Sequence, residues 1–195
     1  MNDAILLLET LYRPEDLLWV GDRNEPGSIG DTVRTAGEWI AIFRNGGATA
    51  PHIIPNPLTG TPAPTKAGDK ISLRGDSNVA TYRFCMVEFD NLNKVDQIRF
   101  WSAIKLPIVC LIDSGGKSIH AWLEVSKLAQ VERSGEWEEH VKCSLYNEIL
   151  MPLGVDTACS NPARLSRLPG HYRSEKQAWQ RLLWLSPEGR PICQK

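Results

Sequence analysis

Apolar residues recur at helical spacing from Leu6 to Leu18, and the pattern breaks at Arg13-Pro14, where proline can open a second short helix at Glu15. Trp39-Ile40-Ala41-Ile42-Phe43 is an unbroken apolar run followed by the turn residues Arg44-Asn45-Gly46-Gly47, which predicts a buried strand. Between Pro51 and Gly75 stand Pro51, Pro55, Pro57, Pro62 and Pro64 with Gly60, Gly68 and Gly75. Such a stretch reads as neither helix nor central strand, but as an extended functional loop or lobe connection.

From Thr81 onward the alternation becomes regular. Tyr82 to Asp90 reads as a strand. Lys94 to Lys105 reads as a helix with Val95, Ile98, Trp101 and Ile104 on one face. Ile108 to Ile112 and Ser118 to Val125 read as strands around a Gly115-Gly116 turn, Glu136 to Leu150 as a second helix, and Ala163 to Leu168 as a returning strand. Gln180 to Leu185 can add a strand at an edge. The order β-α-β-β-α-β predicts an α+β fold with an RRM-like (ferredoxin-like) antiparallel sheet backed by helices. Residues 1–80 then form a small N-terminal α/β lobe and 81–195 the RRM-like core of one integrated domain.

Composition changes this picture little. The chain has 195 residues, 42% of them hydrophobic and 23% charged, which is globular and the size of one domain. Its first apolar patch follows Asp3, is too short to span a bilayer and carries no A-x-A cleavage site, so the protein reads as cytoplasmic with no membrane partner. Five cysteines (Cys85, Cys110, Cys143, Cys159, Cys193) without a C-x-x-C pair read as reduced thiols rather than a zinc site. The formal net charge of −1 argues against coating DNA by charge alone, yet from Asn161 to Lys195 seven basic residues stand against two acidic ones.

Three segments carry chemistry. In Met86-Val87-Glu88-Phe89-Asp90, strand alternation puts Glu88 and Asp90 on one face, a hard-oxygen platform suited to Mg²⁺ or Mn²⁺; the bland alternative is a strand end meeting solvent. In Asp113-Ser114-Gly115-Gly116-Lys117-Ser118-Ile119-His120, two glycines admit close backbone approach, and Lys117, Ser118 and His120 can grip a triphosphate. It is not a Walker A loop, and a plain hairpin is the alternative. In the third, Asp156 can close a metal site while Arg164 and Arg167 offer planar forks to phosphate; a helix cap and surface ion pairs are the ordinary roles of such residues.

Taken in order, Glu88-Phe89-Asp90, Ser118-Ile119-His120 and Val155-Asp156, with Arg164-Leu165-Ser166-Arg167-Leu168-Pro169-Gly170 behind them, resemble the three motifs of the archaeo-eukaryotic primase superfamily. The stretch from Tyr82 to Leu185 is similar to primase-polymerase domains of phages, plasmids and integrated elements. This resemblance implies that Glu88, Asp90 and Asp156 ligate catalytic Mg²⁺ or Mn²⁺ in a two-metal site, and that His120 and Ser118 contact the incoming nucleotide. Lys117, Arg164 and Arg167 join them as phosphate contacts by chemistry and neighbourhood. One departure is that the first acid is Glu where Asp is commoner, and this bears on the choice between Mg²⁺ and Mn²⁺.

The implied activity is template-directed DNA primase-polymerase synthesis from nucleoside triphosphates, with single-stranded DNA template and primer as partners. A helicase domain or protein is a candidate partner, because the chain has no Walker A loop of its own. Arg173, Trp179, Arg181 and Trp184 can face template, although both tryptophans read more readily as core, and Asn56-Pro57-Leu58-Thr59-Gly60 can clamp template or nucleotide. Two other readings remain. A metal-dependent nuclease can use the same carboxylates but needs no triphosphate grip. A non-catalytic RRM-like nucleic-acid-binding module would carry aromatics where these acids stand. A replication-initiator nuclease lacks its histidine pair here.

Overall fold

The structure is a computed structural model describing residues 2–24, 31–68 and 70–192; Cys193 and Lys195 lie outside the described residues. Helix α1 (Asp3–Leu11) begins at Asn2, whose side chain accepts the Ala4 N–H at 2.9 Å. Glu15 opens no second helix. Asp16 Oδ2 accepts the Arg13 N–H at 2.9 Å, closing a turn, and the chain enters strand β1 (Leu17–Gly21) directly. The run Trp39–Phe43 is likewise a helix and not a strand. Thr35 caps α2 (Ala36–Arg44) in a capping box with Glu38, and Trp39 and Phe43, one turn apart, stack at 5.8 Å.

Strand β1 lies between β2 (Val33–Thr35) and β3 (His52–Ile53), and β3 pairs onward with β9 (Ser166–Arg167). The proline-rich stretch therefore does hold a central strand, contrary to expectation. It is only two residues long and fits between Pro51 and Pro55, so no proline has to donate to the ladder. The same stretch supplies the small hairpin β4 (Ala63–Pro64) and β5 (Ile71–Ser72). Asn56 is fully buried: its Oδ1 accepts the N–H groups of Arg83 and Phe84 at 2.8 Å, and its Nδ2 donates to the carbonyls of Phe84 and Pro162 at 2.9 Å. Asn56 is thus a peg between segments and not part of a free clamp.

The second four-stranded sheet has the order β12-β7-β8-β6, all antiparallel: β6 is Phe84–Val87, β7 Ile108–Asp113, β8 Ile119–Glu124 and β12 Arg181–Leu185. β6 and β7 flank β8 and run parallel to one another, joined by α3 (Lys94–Ala103). Ala163–Leu168 does not return to this sheet, since only Ser166–Arg167 is extended and it pairs with β3. The fourth strand is β12, within the Gln180–Leu185 segment expected at an edge, but it lies beside β7, whereas a ferredoxin-like sheet carries its fourth strand beside the first, here β6.

On α3 the buried residues are Gln97 and Trp101, whereas Val95 and Ile98 are exposed. The helix turns its amide inward because Gln97 clamps two loops. Its Nε2 donates to Leu92 O at 2.7 Å and Lys117 O at 3.2 Å, and its Oε1 accepts the Ile119 N–H at 2.7 Å. The next helix, α4, starts at Ser134–Glu136 and continues as wider i→i+5 turns over Trp137–Leu150, burying Trp137, Val141, Leu145, Tyr146 and Leu150. Tyr146 donates its hydroxyl to Met86 O on β6.

One apolar cluster runs through both sheets, linked by the aromatic series Tyr12, Phe84 and Trp122 and a second series Phe89, Phe100 and Trp101. Trp184 packs against this core, but Trp179 is half exposed and so departs from the core role expected of it. Among the described residues four cysteines are free and no helix is long and apolar enough to cross a membrane.

Candidate active site

Beyond Val87 the first motif leaves the ladder, and its outer edge is met by the segment after α4. Phe89 bridges Val155, and the Asp156 N–H donates to Glu88 O at 2.9 Å. With Phe89 buried, the side chains of Glu88 and Asp156 come out together. Ligand atoms of Glu88, Asp156 and Cys159 all lie within 4.8 Å of one another. Two carboxylates at that distance repel by about 3–4 kcal/mol at an effective dielectric of about 20, so the arrangement calls for positive charge or protons between them. Arg164 supplies the charge, with Nη2 3.7 Å from Glu88 and 3.5 Å from Asp156.

The second motif meets Glu88 from the other side. The β7–β8 turn, Ser114 to Lys117, requires glycine at Gly115, whose φ is +63° and where a Cβ would stand 3.2 Å from the Trp179 carbonyl oxygen. Ser118 Oγ donates to Glu88 Oε2 at 3.0 Å and His120 Nε2 lies 3.1 Å from the same oxygen. The Arg167 N–H donates to His120 Nδ1 at 3.3 Å, with Ser166 Oγ 3.1 Å away, so Nδ1 is the acceptor and Nε2 carries the proton given to Glu88. Trp122 Nε1 in turn holds Ser166 Oγ at 2.8 Å. Burial pushes the Glu88 carboxyl up, but the hydrogen bonds from His120 and Ser118 and the Arg164 charge outweigh it and hold the group at about 2.

These groups line one cavity of about 980 Å³, which contains Glu88, Asp90, Lys117, Ser118, His120, Asp156, Arg164 and Arg167. Every residue named in the sequence as a metal or phosphate contact reaches it, whereas Trp179, Arg181, Trp184 and the loop of residues 56–60 do not. Asp90 lines the wall but stands outside the Glu88–Asp156–Cys159 group, and its carboxylate pairs with Lys117 at 3.1 Å. Among the described residues seven basic side chains face this space against three carboxylates; four of the seven, Arg23, Lys94, Arg173 and Lys176, were not expected as phosphate contacts. His52 was also missed: its Nε2 accepts from Arg167 Nη1 at 2.9 Å. Nothing in the sequence distinguishes it, because the contact depends on β3 pairing with β9.

The donor set fits a hard divalent cation. Glu88 is ionised and Asp156 faces it. Burial first, and then the Glu88 charge, raise the Cys159 thiol well above its usual range, so the sulfur stays protonated and offers no soft thiolate. Arg164 already occupies the electrostatic role of a cation between the two acids.

The fold is similar to that of a solved primase-polymerase domain. The AEP domain of the cyanophage S-2L primase-polymerase superposes with a TM-score of 0.52 at 16% identity, over 95% of this chain and 90% of that one. The catalytic domain of primase RepB', in complex with initiator DNA, aligns with a TM-score of 0.49 at 15% identity, over 97% of this chain and 88% of that one. No protein-family profile matches the sequence, and no curated protein matches it significantly.

Proposed function

We propose that this chain is the catalytic domain of a DNA primase-polymerase, which transfers nucleotidyl groups from nucleoside triphosphates to a 3′-hydroxyl on a single-stranded DNA template. The observation that carries the reading is the pairing of Glu88 with Asp156, through the Phe89–Val155 bridge, inside a cavity walled by seven cations. The fold likeness to a phage primase-polymerase supports it, as does the split β-α-β unit in which β6 and β7 run parallel on either side of β8, although the fourth strand lies beside β7 and not beside β6. The common apolar cluster favours the 1–80 lobe and the 81–195 core working as one domain.

Glu88 and Asp156 would hold Mg²⁺ or Mn²⁺, with Asp90 the third candidate carboxylate. A divalent cation at such a site supplies Lewis-acid stabilisation of charge on the triphosphate and favours the ionised form of the attacking hydroxyl. The chain's own residues do the rest. Lys117, Arg164 and Arg167 neutralise phosphate oxygens, with the arginines offering flat two-pronged donors. His120, fixed by Ser166 and the Arg167 amide, gives its Nε2 proton to Glu88 at the cavity wall and would offer it to phosphates that enter there in place of Glu88. Ser118 keeps Glu88 aimed, and Asp156 is aimed by its own backbone bond to Glu88. A nuclease would use the same carboxylates, but the cations gathered over the Gly115-Gly116 turn favour a triphosphate.

Primer extension and unprimed synthesis on single-stranded templates, with Mg²⁺ or Mn²⁺, test this reading. Incorporation is expected from the native chain and is abolished by Asp90→Ala with the fold intact. Absence of incorporation with either metal and any nucleotide set overturns it.

A further inference from the structure

The hairpin of β10 (Tyr172–Arg173) and β11 (Ala178–Trp179) separates the cationic cavity from a second groove of about 550 Å³. Its register pairs Tyr172 with Trp179 and Arg173 with Ala178. Successive residues of a strand face opposite sides, so the ribbon has an aromatic face and a cationic one. Arg173 and Ala178 line the cavity of Glu88, whereas Tyr172 and Trp179 line the groove.

The partition is anchored to the nucleotide loop. Arg173 Nη1 donates to Ser114 O at 3.1 Å, and the Trp179 backbone sits against Gly115. At the hairpin's base Gly170 N–H bonds Gln180 O, and Gln180 N–H bonds His171 O, each at 2.8 Å. On this fixed ribbon the two rings stand 5.1 Å apart with their planes at 55°, leaving Trp179 50% and Tyr172 44% exposed. Arg181 joins them in the groove, and the one acid there among the described residues, Asp3, already accepts the Leu182 N–H at 3.0 Å.

An occupant suited to the groove has flat π-faces for the two rings and anionic groups for Arg181 beside them. We infer that the Tyr172–Trp179 face stacks a base of single-stranded DNA, holding the template strand beside the nucleotide cavity. The inference rests on the polymerase reading and adds the surface on which the template lies. Stacking on exposed aromatics is tolerant of sequence, which suits a surface that must accept any template.

The test is fluorescence anisotropy of a labelled single-stranded oligothymidylate with the full chain, alongside Mn²⁺–nucleoside triphosphate binding. Trp179→Ala and Tyr172→Ala are each expected to weaken oligonucleotide affinity about 10-fold or more, while Trp179→Phe stays within about 3-fold of the native chain. Nucleotide affinity is expected to stay unchanged in all three. If the native chain binds both ligands and the alanine variants keep full oligonucleotide affinity, the stacking surface is wrong and the polymerase reading stands. Equal loss of both ligands in Trp179→Ala also overturns it, because the partition has then collapsed. Unchanged DNA binding with an altered oligomeric state would assign the face to a second copy of the chain. A native chain that binds neither ligand removes the polymerase reading itself.

Discussion

The Asp156 N–H donates to the Glu88 carbonyl at 2.9 Å, so the two acids that share the cavity are tied by backbone and not only by facing side chains. Their separation is a property of strand geometry at the open edge of β6, with Tyr146 holding Met86 just before it. Substitutions of either side chain should therefore change charge while leaving the segments where they are.

On the proposed reading His120 serves the nucleotide and not the template. His120→Ala is expected to weaken nucleoside triphosphate affinity about 10-fold, the worth of one charge-assisted hydrogen bond, and to shift oligonucleotide affinity less than 2-fold. Titrating each ligand separately checks this. Equal losses would contradict the assignment.

Asn56 acts on stability. Its amide satisfies two donors and two acceptors from segments far apart in sequence, and it is fully buried. Asn56→Ala leaves those backbone groups unpaired and is expected to cost about 2–4 kcal/mol by urea unfolding. A change below about 1 kcal/mol would show that the peg is dispensable.

His52 confers a pH dependence. Burial, then the Arg167 charge, hold its pKa at about 4 in the folded chain, against about 6.5 when unfolded. The unfolded state thus binds a proton at a higher pH than the folded state does. Its stabilising contribution is complete above about pH 6.5 and is lost as pH falls toward 4, by at most about 3 kcal/mol. Urea midpoints of the native chain should fall more between pH 7 and 4.5 than those of His52→Gln; identical falls would contradict the assignment.

The parts of the site legible in the sequence are those set by local alternation. Ser118 and His120 share a strand face, Glu88 and Asp90 flank a buried Phe89, and all three motifs lie in chain order. What escaped depends on distant pairing or on polar residues used internally. Gln97 and Asn56 look in sequence like surface amides, yet both are buried clamps. Cys159 and His52 enter the site only because α4 and β9 deliver neighbouring segments. The helical nature of Trp39–Phe43 did leave a signal, the Thr35-x-x-Glu38 box, which a run of apolar residues outweighed. The separation of Asp90 from the Glu88–Asp156 pair could not be read, since Lys117 reaches it from the next hairpin.

Electron paramagnetic resonance titration of Mn²⁺ tests the central claim most directly, since it counts bound cations without requiring catalysis. The native chain is expected to bind Mn²⁺, and Glu88→Gln and Asp156→Asn are each expected to weaken that binding by about 100-fold or more with circular dichroism unchanged. Undiminished Mn²⁺ binding in both variants would contradict the claim that these two carboxylates form the metal centre.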